Sequence, residues 1–236
     1  MAIKAVLFDM DGTLVPMDQD EFVHCYFKEL AKILCPLGVE PELLVKSIWA
    51  GTAAMAKNDG SVTNDVRFWE TFIPLTGLDI EKARPAADAF YSNEFNAAKK
   101  VVKSNSLVRK AVEIAARGGR KVVLATNSIF PMAGQVTRLG WVGLRPEDFE
   151  LITAYETDRH AKPNPAYYTD ICERLGVSPD ECIMIGNDET EDMFPASSLG
   201  MRCFHVTDFA IYDKSHHWTG ASGSFADMVQ WLSEQE

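Results

Sequence analysis

The chain has 236 residues, with 23 basic against 34 acidic side chains and a formal net charge of −11. At 47% apolar and 24% charged residues it has the balance of a folded globular protein, not of a disordered chain. A pI near 4.9 argues against a dedicated nucleic-acid binder, which needs a basic footprint, and no apolar run approaches the ~18 residues that span a bilayer. The opening Met1–Phe8 carries neither a signal-peptide core nor a cleavage site. The five cysteines (Cys25, Cys35, Cys172, Cys182 and Cys203) form no Cys-x-x-Cys pair. A cytoplasmic protein with buried, reduced thiols is therefore expected.

Ile3–Phe8 reads as a buried strand that ends at the turn-forming Asp9-Met10-Asp11-Gly12. From about Asp18 to Lys103 no strand is expected. Glu21–Leu34, Pro41–Ala56, Asp65–Leu75 and Ile80–Ala97 have the spacing of amphipathic helices, separated by Pro36-Leu37-Gly38, Asn58-Asp59-Gly60 and Thr76-Gly77. After Asn105 helix and strand alternate. Leu107–Arg117 is a helix stopped by Gly118-Gly119, and Lys121–Ala125 is a β-branched strand bounded by Thr126-Asn127. A helix over Pro131–Leu139 and a strand over Glu150–Ala154 follow. Asn164 and Pro165 then cap and open a helix that ends at Gly176. Strands over Glu181–Ile185 and Met201–Val206 and a helix over Phe225–Leu232 close the chain. The pattern predicts an α/β fold: a Rossmann-like parallel sheet core (1–15 and 105–236) with an inserted all-helical domain (16–104).

In open parallel sheets ligands bind beyond the carboxyl ends of the strands, so the polar residues there carry the chemistry. The first strand ends in Asp9-Met10-Asp11-Gly12-Thr13 and the second in Thr126-Asn127. Lys162-Pro163 precedes a helix, and a later strand runs into Gly186-Asn187-Asp188-Glu189-Thr190-Glu191-Asp192. Clustered carboxylates are costly without a cation, and oxygen-only donors suit Mg²⁺. A calcium-loop reading fails, because that motif places its glycine two residues later.

These four groups, in this order, resemble the motifs of the haloacid dehalogenase-like hydrolase superfamily, over nearly the whole chain. The resemblance implies that Asp9 is a nucleophile that attacks phosphorus to form an aspartyl-phosphate, with Asp11 as acid and base. Thr126 and the Asn127 backbone N–H would hold phosphate oxygens, and Lys162 would stabilise nucleophile and phosphoryl charge. The implied metal set is Asp9, the Asp11 carbonyl, Asn187, Asp188 and Asp192, with Mg²⁺ as cofactor. An acid/base Asp at position 11 separates the chain from the dehalogenase branch and leaves phosphate-ester hydrolysis or phosphoryl transfer. One departure stands out: Asn187 occupies the place where the family usually has a charged ligand.

The helical insert resembles the family's cap, which favours a small, soluble phosphorylated metabolite as substrate over a phosphoprotein. A phosphomutase of the β-phosphoglucomutase type and a non-catalytic ligand-binding protein are the alternatives. Glu189 and Glu191 read as ordinary first-turn helix acids. Trp49, Phe68, Trp69, Phe72, Phe90 and Tyr91 read as the insert's core. His205, His216 and His217 have no metal-site spacing, and His24, Lys57, Arg67 and Arg159 read as surface residues.

Overall fold

A computed structural model describes residues 2–235; Met1 and Glu236, which the sequence reading assigns to the core domain, lie outside the described residues. Six strands form one parallel sheet: β1 (Ala5–Phe8), β2 (Lys121–Leu124), β3 (Leu151–Ile152), β4 (Cys182–Gly186), β5 (Arg202–Val206) and β6 (Ala221–Gly223). Their order is β3-β2-β1-β4-β5-β6. The α/β fold read from the sequence is the fold observed. β1 lies between β2 and β4, where the direction of chain progression reverses, so the crevice beyond its carboxyl end is the topological switch point.

The sheet buries both faces, as strands covered by crossover helices must. Alternation along the strands sends Val6, Phe8, Val122, Leu124, Ile183 and Ile185 to one face. There they meet α5 (Val108–Ala115) and α9 (Phe225–Ser233), which contribute Val112, Ile114, Met228 and Leu232. Ala5, Leu7, Val123 and Met184 point to the other face, against α7 (Pro165–Leu175) and α8 (Phe194–Ser198) through Tyr168, Ile171 and Ala196. α6 (Met132–Trp141) connects β2 to β3.

Between β1 and α5 the described chain is helical: α1 (Gln19–Leu34), α2 (Pro41–Ala56), α3 (Asn64–Thr76), α4 (Ile80–Ser92) and a 3₁₀ segment over Glu94–Val101. The caps are local. The Asp18 carboxylate accepts from the Glu21 N–H at 3.0 Å and the Asp79 carboxylate from the Glu81 N–H at 3.0 Å, each satisfying a first-turn donor. The helix expected to run to Ala97 stops at Asn93, whose side-chain amide donates to the Ala89 carbonyl at 2.8 Å and closes the last turn. Phe95 and Ala98 stay buried in the 3₁₀ segment that follows, so the apolar spacing outlived the change of helix type. β6 was not expected; a short Ala-Ser-Gly edge strand carries no apolar alternation.

Aromatic packing and buried hydrogen bonds join this helical layer to the α/β part. Phe22 of α1 packs on Phe130 and Trp141 at ring separations of 6.2 and 6.5 Å. Asn64, fully buried at the start of α3, donates to the Ser128 hydroxyl at 3.0 Å and carbonyl at 3.1 Å, and the Ser128 hydroxyl donates to the His160 carbonyl at 2.7 Å. All five cysteines are free thiols and four are buried; Cys35 is the one that reaches partway to solvent. Among the described residues no helix is long and apolar enough to cross a membrane.

Candidate active site

The β1 ladder continues one residue past the strand. The Asp9 N–H donates to the Ile185 carbonyl at 2.8 Å, and the Ala125 N–H donates to the Phe8 carbonyl at 2.7 Å. Three chain segments therefore leave the sheet side by side. The turn after Asp9 needs Gly12 twice over: its φ of +82° is left-handed, and a Cβ there would overlap the Asn187 amide. Gly186 has a related role, because a Cβ at that position would collide with the Asp192 carboxylate.

Lys162 is fully buried between two of these carboxylates. Its ammonium donates to Asp9 Oδ1 at 2.7 Å and to Asp192 Oδ1 at 2.6 Å. Burial works against the charge, yet the Asp192 and Asp9 carboxylates outweigh it and hold the amine well above its ordinary value. Asp192 is committed at both oxygens, since Oδ2 accepts from the Asp188 N–H at 3.1 Å. Asp188 caps the irregular turn Glu189–Met193, its Oδ1 accepting from the N–H groups of Thr190 at 2.7 Å and Glu191 at 2.9 Å.

Asn187 is buried and held from two sides. Its Nδ2 donates to the Phe209 carbonyl at 2.6 Å, and its Oδ1 accepts from the Thr13 hydroxyl at 3.3 Å. The Phe209 carbonyl can only accept, which fixes which end of the amide is oxygen. An aspartate at 187 would set a carboxylate oxygen against that carbonyl, so an asparagine at this position has a local cause. Asn187→Asp is expected to cost about 1–3 kcal/mol in urea denaturation, the price of an unmatched buried acceptor. An unchanged midpoint in metal-free buffer would show that the Phe209 contact is unimportant.

Thr126 and Asn127 follow β2. The Thr126 carbonyl accepts from the hydroxyls of Thr153 and Tyr167, each at 2.7 Å, which pins the strand end. The Asn127 amide donates to both Glu191 oxygens at 3.0 Å, while its own Oδ1 is buried without a partner. Asp9, Asp11, Thr126, Asn127, Asn187, Asp188 and Asp192 all line one cavity of about 150 Å³. Lys162 stands behind it, reaching the cavity through Asp9 and Asp192.

Three acidic or basic residues have partners that sequence reading did not anticipate. Glu191 reaches into the cavity, and burial pushes its carboxyl up to about 7, more than the Asn127 hydrogen bond and Lys162 lower it. Glu189 is buried and accepts from the N–H groups of Asp213 at 2.8 Å and Trp218 at 3.0 Å, so neither glutamate is an ordinary solvated helix acid. Arg138 of α6 is wholly buried and ion-pairs with Asp11 Oδ2. Its other donors reach the Gln135 side-chain oxygen and the Gly134 carbonyl, and its guanidinium sits 4.3 Å from the Phe130 ring centre and 5.8 Å from that of Phe22. Asp11 Oδ1 is left buried with no partner. Burial pushes the Asp11 carboxyl up more than Arg138 lowers it.

Among the described residues no three His, Cys, Asp or Glu side chains form a ready-made metal cage. Mg²⁺ does not need one, because it keeps several waters and uses one or two carboxylates. Asp9, Asp188, the Asn187 amide oxygen and the Asp11 carbonyl are all oxygen donors at one cavity, so the residues present fit such an ion. His205, by contrast, is buried with its ring nitrogen donating to the Asn187 carbonyl at 2.9 Å, while His216 is exposed.

The sequence model of the haloacid dehalogenase-like hydrolases matches residues 3–200, which spans the site residues from Asp9 to Asp192. The chain belongs to that hydrolase family. It is 28% identical over 216 residues to YhcW of Bacillus subtilis, a presumed phosphatase, covering 86% of this chain and 83% of that protein. It is 25% identical to the glyceraldehyde 3-phosphate phosphatase of Methanopyrus kandleri, covering 84% and 82%. Among solved structures, a 2-haloacid dehalogenase from Pseudomonas syringae superposes at a TM-score of 0.65 with 20% identity, covering 99% of this chain and all of that one. A phosphatase of the same family from Thermococcus onnurineus gives 0.62 with 20% identity and the same coverage. The family's backbone thus serves dehalogenation and phosphate chemistry alike, and the choice between them rests on side chains.

Proposed function

We propose that this hydrolase is a Mg²⁺-dependent phosphomonoesterase that acts on a small phosphorylated metabolite, with the helical segment 16–104 as a cap over the site. The observation that carries the reading is Asp11, a second carboxyl in the same cavity as Asp9 and two residues after it. A dehalogenase needs one carboxylate nucleophile; a phosphomonoesterase also needs an acid for the leaving oxygen and a base for the water.

Asp9 attacks phosphorus and breaks the ester bond, and the departing oxygen takes a proton from Asp11. Asp11 then removes a proton from water, which attacks the aspartyl-phosphate and releases phosphate while restoring Asp9. Arg138 occupies Asp11 Oδ2 and leaves Oδ1 as the atom that exchanges the proton. Thr126 and Asn127 line the side of the cavity where phosphoryl oxygens would lie, and Lys162 holds Asp9 in place while balancing negative charge. Mg²⁺, held by Asp9, Asn187, Asp188 and the Asp11 carbonyl with Asp192 behind them, would neutralise phosphoryl charge as the bond changes.

Phosphate release from p-nitrophenyl phosphate with Mg²⁺, abolished by EDTA, tests the activity; inactivity across esters and divalent ions would overturn it. A pH test reads the site without turnover. The Asp11, Asp188 and Glu191 carboxyls all lie above their ordinary values because of burial, Glu191 at about 7. In EDTA the folded protein therefore holds protons that the unfolded chain has released, and its stability falls as pH rises from the ordinary carboxyl range through about 7. Mg²⁺ competes with those protons, so its gain in thermal midpoint is expected to be larger at pH 8 than at pH 5.5. A gain independent of pH would place the ion elsewhere.

A further inference from the structure

The cavity beyond the carboxylates is lined by the helical segment, and its chemistry is one-sided. Phe22, Tyr26, Leu30, Ile48, Phe68 and Phe72 are among the residues that the helical segment brings to this wall, most of them apolar. Among the described residues that line it there is no Lys, Arg or His. The charged liners are all acids at the strand ends: Asp9, Asp11, Asp188, Glu191 and Asp192. The basic residues nearby are engaged elsewhere. Arg138 and Lys162 are paired with Asp11 and Asp9, and Arg67 is paired with Asp59 at 2.9 Å. The Tyr26 and Tyr91 hydroxyls hydrogen-bond each other at 2.8 Å, and the other polar groups that the helical segment brings to the cavity are few: Gln19, Thr52 and the Trp69 indole N–H, which is buried without a partner and can donate one hydrogen bond.

From this wall we infer that the alcohol released by the enzyme is compact and apolar, a benzyl- or branched-alkyl-sized group, and not a sugar or a carboxylic acid. The inference rests on the phosphomonoesterase reading and narrows its substrate class. Three physical terms favour it. A carboxylated leaving group would be buried against a helical wall that offers no basic side chain to meet it, a cost of several kcal/mol. A sugar carries more hydroxyls than Trp69, Thr52 and Gln19 can meet, and each one left unmatched against the apolar wall costs about 1–3 kcal/mol. An apolar group gains from the same wall, by about 25 cal/mol for each Å² of apolar surface that it buries there. The aromatic residues of α1 and α3 thus serve two purposes, packing the helical segment and facing the substrate, because one side of that aromatic layer borders the cavity.

The test compares esters whose alcohols leave with similar ease, so that chemistry does not mask fit. With Mg²⁺ and the full chain, benzyl phosphate is expected to show kcat/KM at least tenfold above glycerol 1-phosphate and phosphoglycolate. Thr52→Arg, which adds a cation to the cavity wall from α2, should lower benzyl phosphate turnover and raise that of phosphoglycolate. Calorimetric titration reads the wall without catalysis: benzylphosphonate should bind at least tenfold more tightly than phosphonoacetate. If phosphate is released but phosphoglycolate or glycerol phosphate equals benzyl phosphate, the apolar leaving group is wrong and the phosphatase reading stands. If no ester is hydrolysed, the phosphatase reading falls; equal binding of the two phosphonates then overturns the apolar wall independently.

Discussion

Asp9→Asn is expected to abolish phosphate release, by about 10⁴-fold or more, the scale on which enzymes that work through a covalent nucleophile lose activity when it is removed. The substitution is nearly isosteric. An asparagine oxygen can still accept from the Lys162 ammonium, and Asp192 still pairs with that ammonium at 2.6 Å. The thermal midpoint should therefore move little while turnover disappears, which separates lost chemistry from lost folding. Phosphate release with Mg²⁺ measured beside a melting curve checks both halves. Activity that survives in Asp9→Asn would remove the covalent mechanism, since an amide is not a nucleophile toward phosphorus.

The second large effect falls on stability. Asp11→Ala is expected to cost about 3–5 kcal/mol in urea denaturation, because it leaves the wholly buried Arg138 guanidinium without its counter-ion. An arginine cannot escape by losing its proton, whereas an aspartate can gain one. Arg138→Met should therefore be the milder change, and milder at pH 5 than at pH 8, where a proton for the unpaired Asp11 carboxyl costs more. The double variant Asp11→Ala/Arg138→Met should recover most of the loss, since it removes both charges and keeps the stem that packs on Phe130. Additive losses in the double variant would mean that the two residues do not act as a pair.

Both expectations turn on contacts between residues far apart in the chain. Asp11 and Arg138 are separated by 127 positions, and Lys162 lies 153 positions from Asp9. Nothing in the local pattern around Arg138 marks it. It stands on α6 in the run Gln135-Val136-Thr137-Arg138-Leu139, and a basic residue in a last helical turn is ordinarily a solvated one. Glu191 escaped notice for the same reason, since acids in a first turn need no other explanation until Asn127 is seen to bond both of its oxygens.

What the sequence determined by itself is what near neighbours decide. The buried apolar strands, the Asn164 cap, the glycine-bearing turn after Asp9 and the strand-free helical stretch all follow from residues a few positions apart. Together they imply a parallel sheet with carboxylates at one end, and hence where a ligand would lie. Tertiary structure alone decided which side chains neutralise one another and what the substrate meets. The net charge of −11 gave no hint that Lys162 would be sealed between two carboxylates, or that the wall opposite them would hold no cation. The physical reason is range. Propensity and capping act over one or two turns of chain, whereas ion pairing and burial act between whatever surfaces the packing brings within a few ångströms.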